Sequence, residues 1–210
     1  MAATPLPQTA LELKLLPVLT VSDPDQAIGL CRALQLGGIK GVEITLRTPA
    51  AVACLAAVKE ALPELLVGAG TVTSPEQVAQ IEKAGADFGV SPATSERLLQ
   101  SVVAAGFPFV PGVATPSEAL QAWEYGFSHL KLFPATAVGG LALLQSMAAP
   151  LPQLRFCPTG GLNQENFRAF LDLPNVFCVG GSWMISNTDL TRHNWQAITE
   201  ATQTAWAMAN

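Results

Sequence analysis

The sequence predicts an α/β fold: a single domain over residues 1–210 in which eight parallel strands alternate with helices and close into a compact (β/α)8 TIM barrel, with a short N-terminal helix plugging one end. Three observations carry this. Eight short apolar runs of β character recur along the chain, and helix-forming segments separate them, many opened by a capping residue. The 210 residues shared among eight units leave about 26 each, close to the minimum for a strand and a returning helix. A doubly wound open sheet competes, but it usually has fewer strands and a glycine fingerprint after the first. This chain has Thr20-Val21-Ser22-Asp23 there instead.

In chain order, a helix around Thr9–Leu15 precedes the first run, Leu16–Val21. Ser22-Asp23-Pro24 then supplies a capping carboxylate and a proline suited to the first helical turn, and Gly37-Gly38 closes that helix. The second run, Gly41–Leu46, leads into Thr48-Pro49. The third, Leu65–Gly70, leads into Thr73-Ser74-Pro75-Glu76, with an exit at Gly85. The fourth, Phe88–Pro92, is followed by Thr94-Ser95-Glu96 and Gly106, and the fifth, Pro108–Val113, by Thr115-Pro116-Ser117-Glu118 and Gly126. The sixth is Leu130–Pro134. The seventh, Leu154–Thr159, runs on to Asn163-Gln164-Glu165-Asn166, and the eighth is Val176–Gly180. No further repeat, low-complexity tract or Gly/Ser linker interrupts this rhythm.

Half the residues are apolar and 13% are charged, enough for one large core and too apolar for a disordered chain. With 11 basic against 16 acidic residues the net charge is −5, which argues against nucleic acid as a partner. Cys31, Cys54, Cys157 and Cys178 form no CxxC pair and sit in apolar runs, reading as reduced core residues of a cytoplasmic protein. The N-terminus lacks a basic segment followed by an apolar one, and no window holds 18 uninterrupted apolar residues, so neither a signal peptide nor a membrane partner is expected. His129 and His193, the only histidines, lack metal-ligand spacing. Trp123 with Tyr125 reads as helix packing, and Trp195 with Trp206 as core or subunit contact.

Chemistry shows where charge interrupts a strand. In Gly41-Val42-Glu43-Ile44-Thr45-Leu46-Arg47, alternation sends Val42, Ile44 and Leu46 toward the helices. Glu43 and Arg47 therefore point into the barrel, toward the C-terminal mouth where sites on this fold lie. In His129-Leu130-Lys131-Leu132-Phe133-Pro134, Lys131 is the only cation in an apolar strand and shares its parity with Phe133. An apolar pocket disfavours an ammonium and leaves a free amine as nucleophile, which suits Schiff-base chemistry on a carbonyl. A Lys131–Glu43 ion pair that merely fills the barrel is the alternative, though a buried pair contributes little over apolar replacements. Two glycine turns, Thr159-Gly160-Gly161 and Gly180-Gly181-Ser182, end the seventh and eighth runs. Such turns expose backbone N–H groups to an anion, and in barrels this pair of positions often binds phosphate.

These residues resemble the 2-dehydro-3-deoxy-6-phosphogluconate aldolase / 4-hydroxy-2-oxoglutarate aldolase family. The matching motifs are Gly41-Val42-Glu43-Ile44-Thr45-Leu46-Arg47-Thr48, Val67-Gly68-Ala69-Gly70-Thr71-Val72, Val90-Ser91-Pro92, Pro111-Gly112-Val113-Ala114-Thr115-Pro116-Ser117-Glu118, Leu130-Lys131-Leu132-Phe133-Pro134-Ala135 and Pro158-Thr159-Gly160-Gly161, in the family's order and across nearly the whole barrel. The resemblance implies a trimeric class I aldolase without metal or cofactor, acting on a phosphorylated 2-keto acid. Lys131 would form the imine and Glu43 would be the acid/base. Arg47 and Thr71 would hold the keto-acid carboxylate, and Pro92 and Phe133 would line the pyruvate pocket. Gly160, Gly161, Gly181 and Ser182 would receive the phosphate. Thr159 would contact the hydroxyl that sets stereochemical preference, favouring the gluconate substrate over its galactonate epimer.

Overall fold

A computed structural model describes residues 2–210. Nine short strands, β1 (Leu15–Leu19), β2 (Gly41–Thr45), β3 (Leu66–Gly70), β4 (Phe88–Val90), β5 (Phe109–Val110), β6 (Gly112–Val113), β7 (His129–Leu132), β8 (Arg155–Pro158) and β9 (Val179–Gly181), alternate with helices. The longer helices are α2 (Pro24–Leu36), α3 (Ala51–Ala61), α4 (Pro75–Lys83), α5 (Glu96–Ala105), α6 (Pro116–Glu124), α7 (Gly140–Ala148) and α10 (Trp195–Ala209), while α1 (Gln8–Leu11), α8 (Phe167–Leu171) and α9 (Asn187–Thr191) are short. A curled six-stranded sheet has the order β5-β4-β3-β2-β1-β9, and a second sheet has β6-β7-β8. Every pairing is parallel, as β-helix-β connections require.

One expected run is split. Pro108–Val113 becomes β5 and β6 because Pro111 has no N–H to give the ladder, although its carbonyl still accepts from the Lys131 N–H. The final run starts later than expected. Only single bridges, Phe156↔Val176 and Thr159↔Gly180, join the β8 strand to that segment, and regular pairing begins at Val179 against Leu15. The N-terminal helix also ends sooner than expected, at Leu11, since Leu15 already belongs to β1.

Strand alternation separates two apolar groups. Leu15, Leu19, Val42, Ile44, Val67 and Ala69 belong to the core that includes the helices. Leu16, Phe88, Val90, Val110, Cys157 and Cys178 form a second cluster with Leu6, Ala10 and Leu13 of the N-terminal segment. The four cysteines are free and buried. Burial pushes the Cys31 thiol up to about 12, with Cys54 a smaller cause, and raises the Cys178 thiol well above its ordinary value, with Cys157 next in effect.

Most capping signals act as expected. Asp23 accepts from the Gln26 N–H at 2.7 Å, Thr115 and Glu118 form a reciprocal box at α6, and Ser74 and Gln77 do so at α4. Thr48 does not cap. Its hydroxyl donates to the Val21 carbonyl at 2.6 Å, and α3 starts after Ala50 without a side-chain cap. Trp123 is a second correction: it remains 39% exposed and is not packed as expected, whereas Tyr125 next to it bonds Glu96. His129 bonds Ser128 and packs edge-on against Phe177. Burial, then Arg155, lowers its basicity.

Candidate active site

Strand register brings the two charged interruptions together. Glu43 lies on β2 opposite Val18 and Gly68, and Lys131 on β7 opposite Gly112 and Cys157. Their side chains meet inside, with Lys131 Nζ donating to Glu43 Oε1 at 2.9 Å and Oε2 at 3.1 Å. Glu43 is 1% exposed and Lys131 4%. Below, Lys131 borders a small apolar cavity with Leu16, Phe88, Cys157 and Cys178, and above, its ammonium lies 5.5 Å from the centre of the Phe133 ring. An amine and a carboxylate so placed can exchange a proton away from water.

Glycines make the room. A Cβ on Gly70 of β3 would overlap the Glu43 carboxylate, and one on Gly112 would collide with the backbone of Pro92. Gly70 and Gly112 went unnoticed as site residues in the sequence. Both fell within quoted motifs, but their role depends on which side chain the neighbouring strand aims at them.

At the strand ends, Arg47 is exposed and its Nε donates to Thr71 Oγ1 at 3.2 Å. Thr71 adopts φ 60°, a conformation costly for a β-branched residue, so its hydroxyl is held beside Arg47 at the expense of local strain. Pro92 and Phe133 border one open cavity of about 300 Å³. Thr159 is buried, with its hydroxyl 3.4 Å from the Cys157 carbonyl, where a Cβ on Gly180 would stand against it.

The two glycine turns end neighbouring segments. Gly160 and Gly161 have φ 98° and 80°, two successive left-handed residues. Their carbonyls are taken, Gly160 O by the Thr136 N–H at 3.2 Å and Gly161 O by Asn166 Nδ2 at 3.1 Å. Among the described residues their N–H groups have no acceptor. Thr136, another residue the sequence did not single out, lies where a Gly161 Cβ would stand. Gly181 ends β9, and Ser182, which is exposed, follows it. Trp183 folds over Gly181, and its indole N–H donates to Gln164 Oε1 at 3.1 Å, tying the second turn to the first.

Among the described residues, no group of three or more His, Cys, Asp or Glu side chains could hold a metal ion, and no helix is long and apolar enough to cross a membrane.

Known proteins share this fold. The profile of the KDPG and KHG aldolase family matches residues 7–201. The chain belongs to this family. It is 41% identical over 189 residues to the KHG/KDPG aldolase of Escherichia coli K12, covering 90% of this chain and 89% of that protein. The KDPG aldolase of Legionella pneumophila, solved with pyruvate captured as a covalent carbinolamine, superposes with a TM-score of 0.90 at 40% identity, covering 93% of this chain and 95% of the other. The 2-keto-3-deoxy-6-phosphogluconate aldolase of Zymomonas mobilis, solved with 3-phosphoglycerate, gives 0.88 at 36% identity over 95% and 94%. The protein is an aldolase, and the family expectation from sequence holds.

Proposed function

We propose that this aldolase cleaves 2-dehydro-3-deoxy-6-phosphogluconate to pyruvate and glyceraldehyde 3-phosphate through an imine on Lys131. The observation that carries the reading is the buried Lys131–Glu43 contact, a nucleophilic amine and a carboxylate 2.9 Å apart. Lys131 adds to the C2 carbonyl and water leaves as the imine forms. Glu43 then takes the proton of the C4 hydroxyl while the C3–C4 bond breaks, its electron pair passing into the enamine. The aldehyde departs, Glu43 returns the proton to C3, and water hydrolyses the imine to release pyruvate.

Arg47 and Thr71 hold the carboxylate next to C2, which their mutual contact supports. Pro92 and Phe133 shape the space for the pyruvate half. The N–H groups of Gly160, Gly161 and Gly181, with the Ser182 hydroxyl, take the phosphate, as the free N–H groups of the first turn support. Thr159 faces the C4 hydroxyl and favours the gluconate epimer. The bridges from the β8 strand to Val176 and Gly180, with the chain running from β5 through Pro111 into β6, support a ring of eight strands closed at both seams. Leu6, Ala10 and Leu13 then plug its floor. We infer a single domain over residues 1–210, assembled as a homotrimer in the cytoplasm, where four reduced cysteines belong.

Activity on 4-hydroxy-2-oxoglutarate is the second reading, favoured by the double name of the Escherichia coli relative. A lactate-dehydrogenase-coupled assay of pyruvate release from the gluconate substrate, its galactonate epimer and 4-hydroxy-2-oxoglutarate ranks the three. Heat protection by the phosphorylated acid with no pyruvate from any of them would mean a silent binding barrel.

A further inference from the structure

Thr20 follows the last residue of β1 at the mouth of the sheet. Its neighbours fix the direction of its side chain. Leu16 belongs to the interior cluster, Leu15 and Leu19 to the outer one, so Leu16, Val18 and Thr20 share the interior face. Val18 pairs with Glu43, which puts Thr20 two residues, about 6.6 Å, above the Glu43 layer toward the mouth. It is exposed there. On its other flank β1 pairs with β9, Pro17 opposite Gly181. Thr20 thus stands on the wall between the Glu43 carboxylate and the second glycine turn.

Its hydrogen bonding is polarised. Thr45 is fully buried and donates its hydroxyl hydrogen to the Leu19 carbonyl at 2.8 Å. The Thr20 and Thr45 oxygens lie 3.0 Å apart, and with the Thr45 hydrogen engaged, Thr20 must be the donor of that bond. A hydroxyl has one hydrogen and two lone pairs. Thr20 therefore offers lone pairs to the mouth and no donor. It suits an incoming O–H and does not suit a phosphate or carboxylate, which are acceptors only.

We infer that Thr20 is a specificity-determining residue whose oxygen accepts a hydrogen bond from the C5 hydroxyl of the sugar acid. This rests on the proposed cleavage at C3–C4. With the C1 carboxylate at Arg47, C2 at Lys131, C4 at Glu43 and the phosphate on C6 at the glycine turns, C5 comes next after Glu43 on the way to β9. Thr20 is the side chain there with an unengaged acceptor facing inward.

The test runs the reaction in the direction of synthesis, adding pyruvate to D-glyceraldehyde 3-phosphate or to 3-phosphooxypropanal. The second aldehyde keeps the phosphate but lacks the hydroxyl that becomes the one on C5. The ratio of the two kcat/KM values is the readout. A single neutral hydrogen bond predicts that Thr20→Val lowers that ratio about 2- to 10-fold, and that Thr20→Ser restores most of it. A ratio unchanged in Thr20→Val, both aldehydes losing alike, would reduce Thr20 to a prop for Thr45 and overturn the inference, as would a fall that Thr20→Ser fails to reverse. Wild-type protein that joined pyruvate to neither aldehyde would instead overturn the aldol reading on which the inference stands.

Discussion

Glu43→Gln separates the two jobs of the buried pair. The amide matches the carboxylate in shape, so the space above Gly70 stays filled and no cavity opens. The chemistry changes at one atom. Glu43 now receives two bonds from Lys131 Nζ, at 2.9 and 3.1 Å. In the variant one amide oxygen still accepts, while the amide N–H₂ is a donor aimed at a donor. The amide carries no charge, so Lys131 loses its counter-ion, a change that costs roughly 3–5 kcal/mol in a buried pair. For a chain of this size that lowers Tm by about 6–20 °C. Catalysis suffers more. An amide cannot take the C4 hydroxyl proton, and a positioned base typically supplies about 10²- to 10⁴-fold, so turnover falls by that factor. Lys131 is still the nucleophile in the variant and water can carry the protons of imine formation, so borohydride with labelled pyruvate still marks the peptide containing Lys131. The assay pair is steady-state pyruvate release and mass spectrometry of the trapped peptide. Near wild-type turnover in a folded Glu43→Gln protein would refute the reasoning, as would labelling on Lys14, Lys40, Lys59 or Lys83 in place of Lys131.

Gly161→Ala should cost roughly 10²- to 10⁴-fold in kcat/KM on the phosphorylated substrate, from losing about two charge-assisted bonds, with a far smaller loss on 4-hydroxy-2-oxoglutarate; equal losses, measured side by side, would mean that the turn does not bind phosphate. Because burial holds the Cys31 thiol near 12, iodoacetamide at pH 8.5 should leave it unmodified in the native protein and alkylate it once urea unfolds the chain, and fast native labelling on the Cys31 peptide contradicts its burial. Burial of His129 lowers its native pKa below 6.5, so below pH 6.5 the unfolded state binds more protons and stability falls as pH falls through that value toward the native one; His129→Gln should flatten that part of a urea-midpoint profile, and an unaltered slope would show that His129 is not its source. EDTA should leave activity unchanged, since the proposed chemistry uses only an amine and a carboxylate, and activity that vanished and returned with a divalent cation would refute it.

Much of this site was legible because charge in a buried strand is conspicuous. Glu43 and Lys131 stood out as interruptions of apolar runs, and alternation turned Glu43 to the interior. The structure joins them at 2.9 Å. Gly160 and Gly161 were legible for a similar reason, since consecutive glycines at a strand end signal backbone exposure. Gly70, Gly112 and Thr136 were not, because their importance is relational: each matters through an atom contributed from another strand or loop. Local chemistry also misled in places. Thr48-Pro49 looks like a helix start, yet the Val21 carbonyl across the turn competes for the Thr48 hydroxyl and wins. Pro111 inside an apolar run passes for strand until the ladder needs its missing N–H. Thr20 gave no signal, since a lone threonine at a strand end is ordinary until its hydroxyl is found paired with a buried one.

The bare α-carbon at Gly70 has a consequence for how such a chain can change over time. Because the Glu43 carboxylate occupies the space where a side chain on Gly70 would begin, the two positions cannot vary independently. Alanine at 70 requires residue 43 to shift or to shorten, and the shorter carboxylate of Glu43→Asp would retreat from Lys131 and lose the base of the proposed mechanism. A selection for aldol cleavage over random codons at 43, 70 and 131 should therefore return the parental trio almost alone, whereas a selection for folding by itself should recover apolar residues at 43 and 131 joined with alanine at 70. The two surviving populations would differ at a position that brings no side chain of its own to the site.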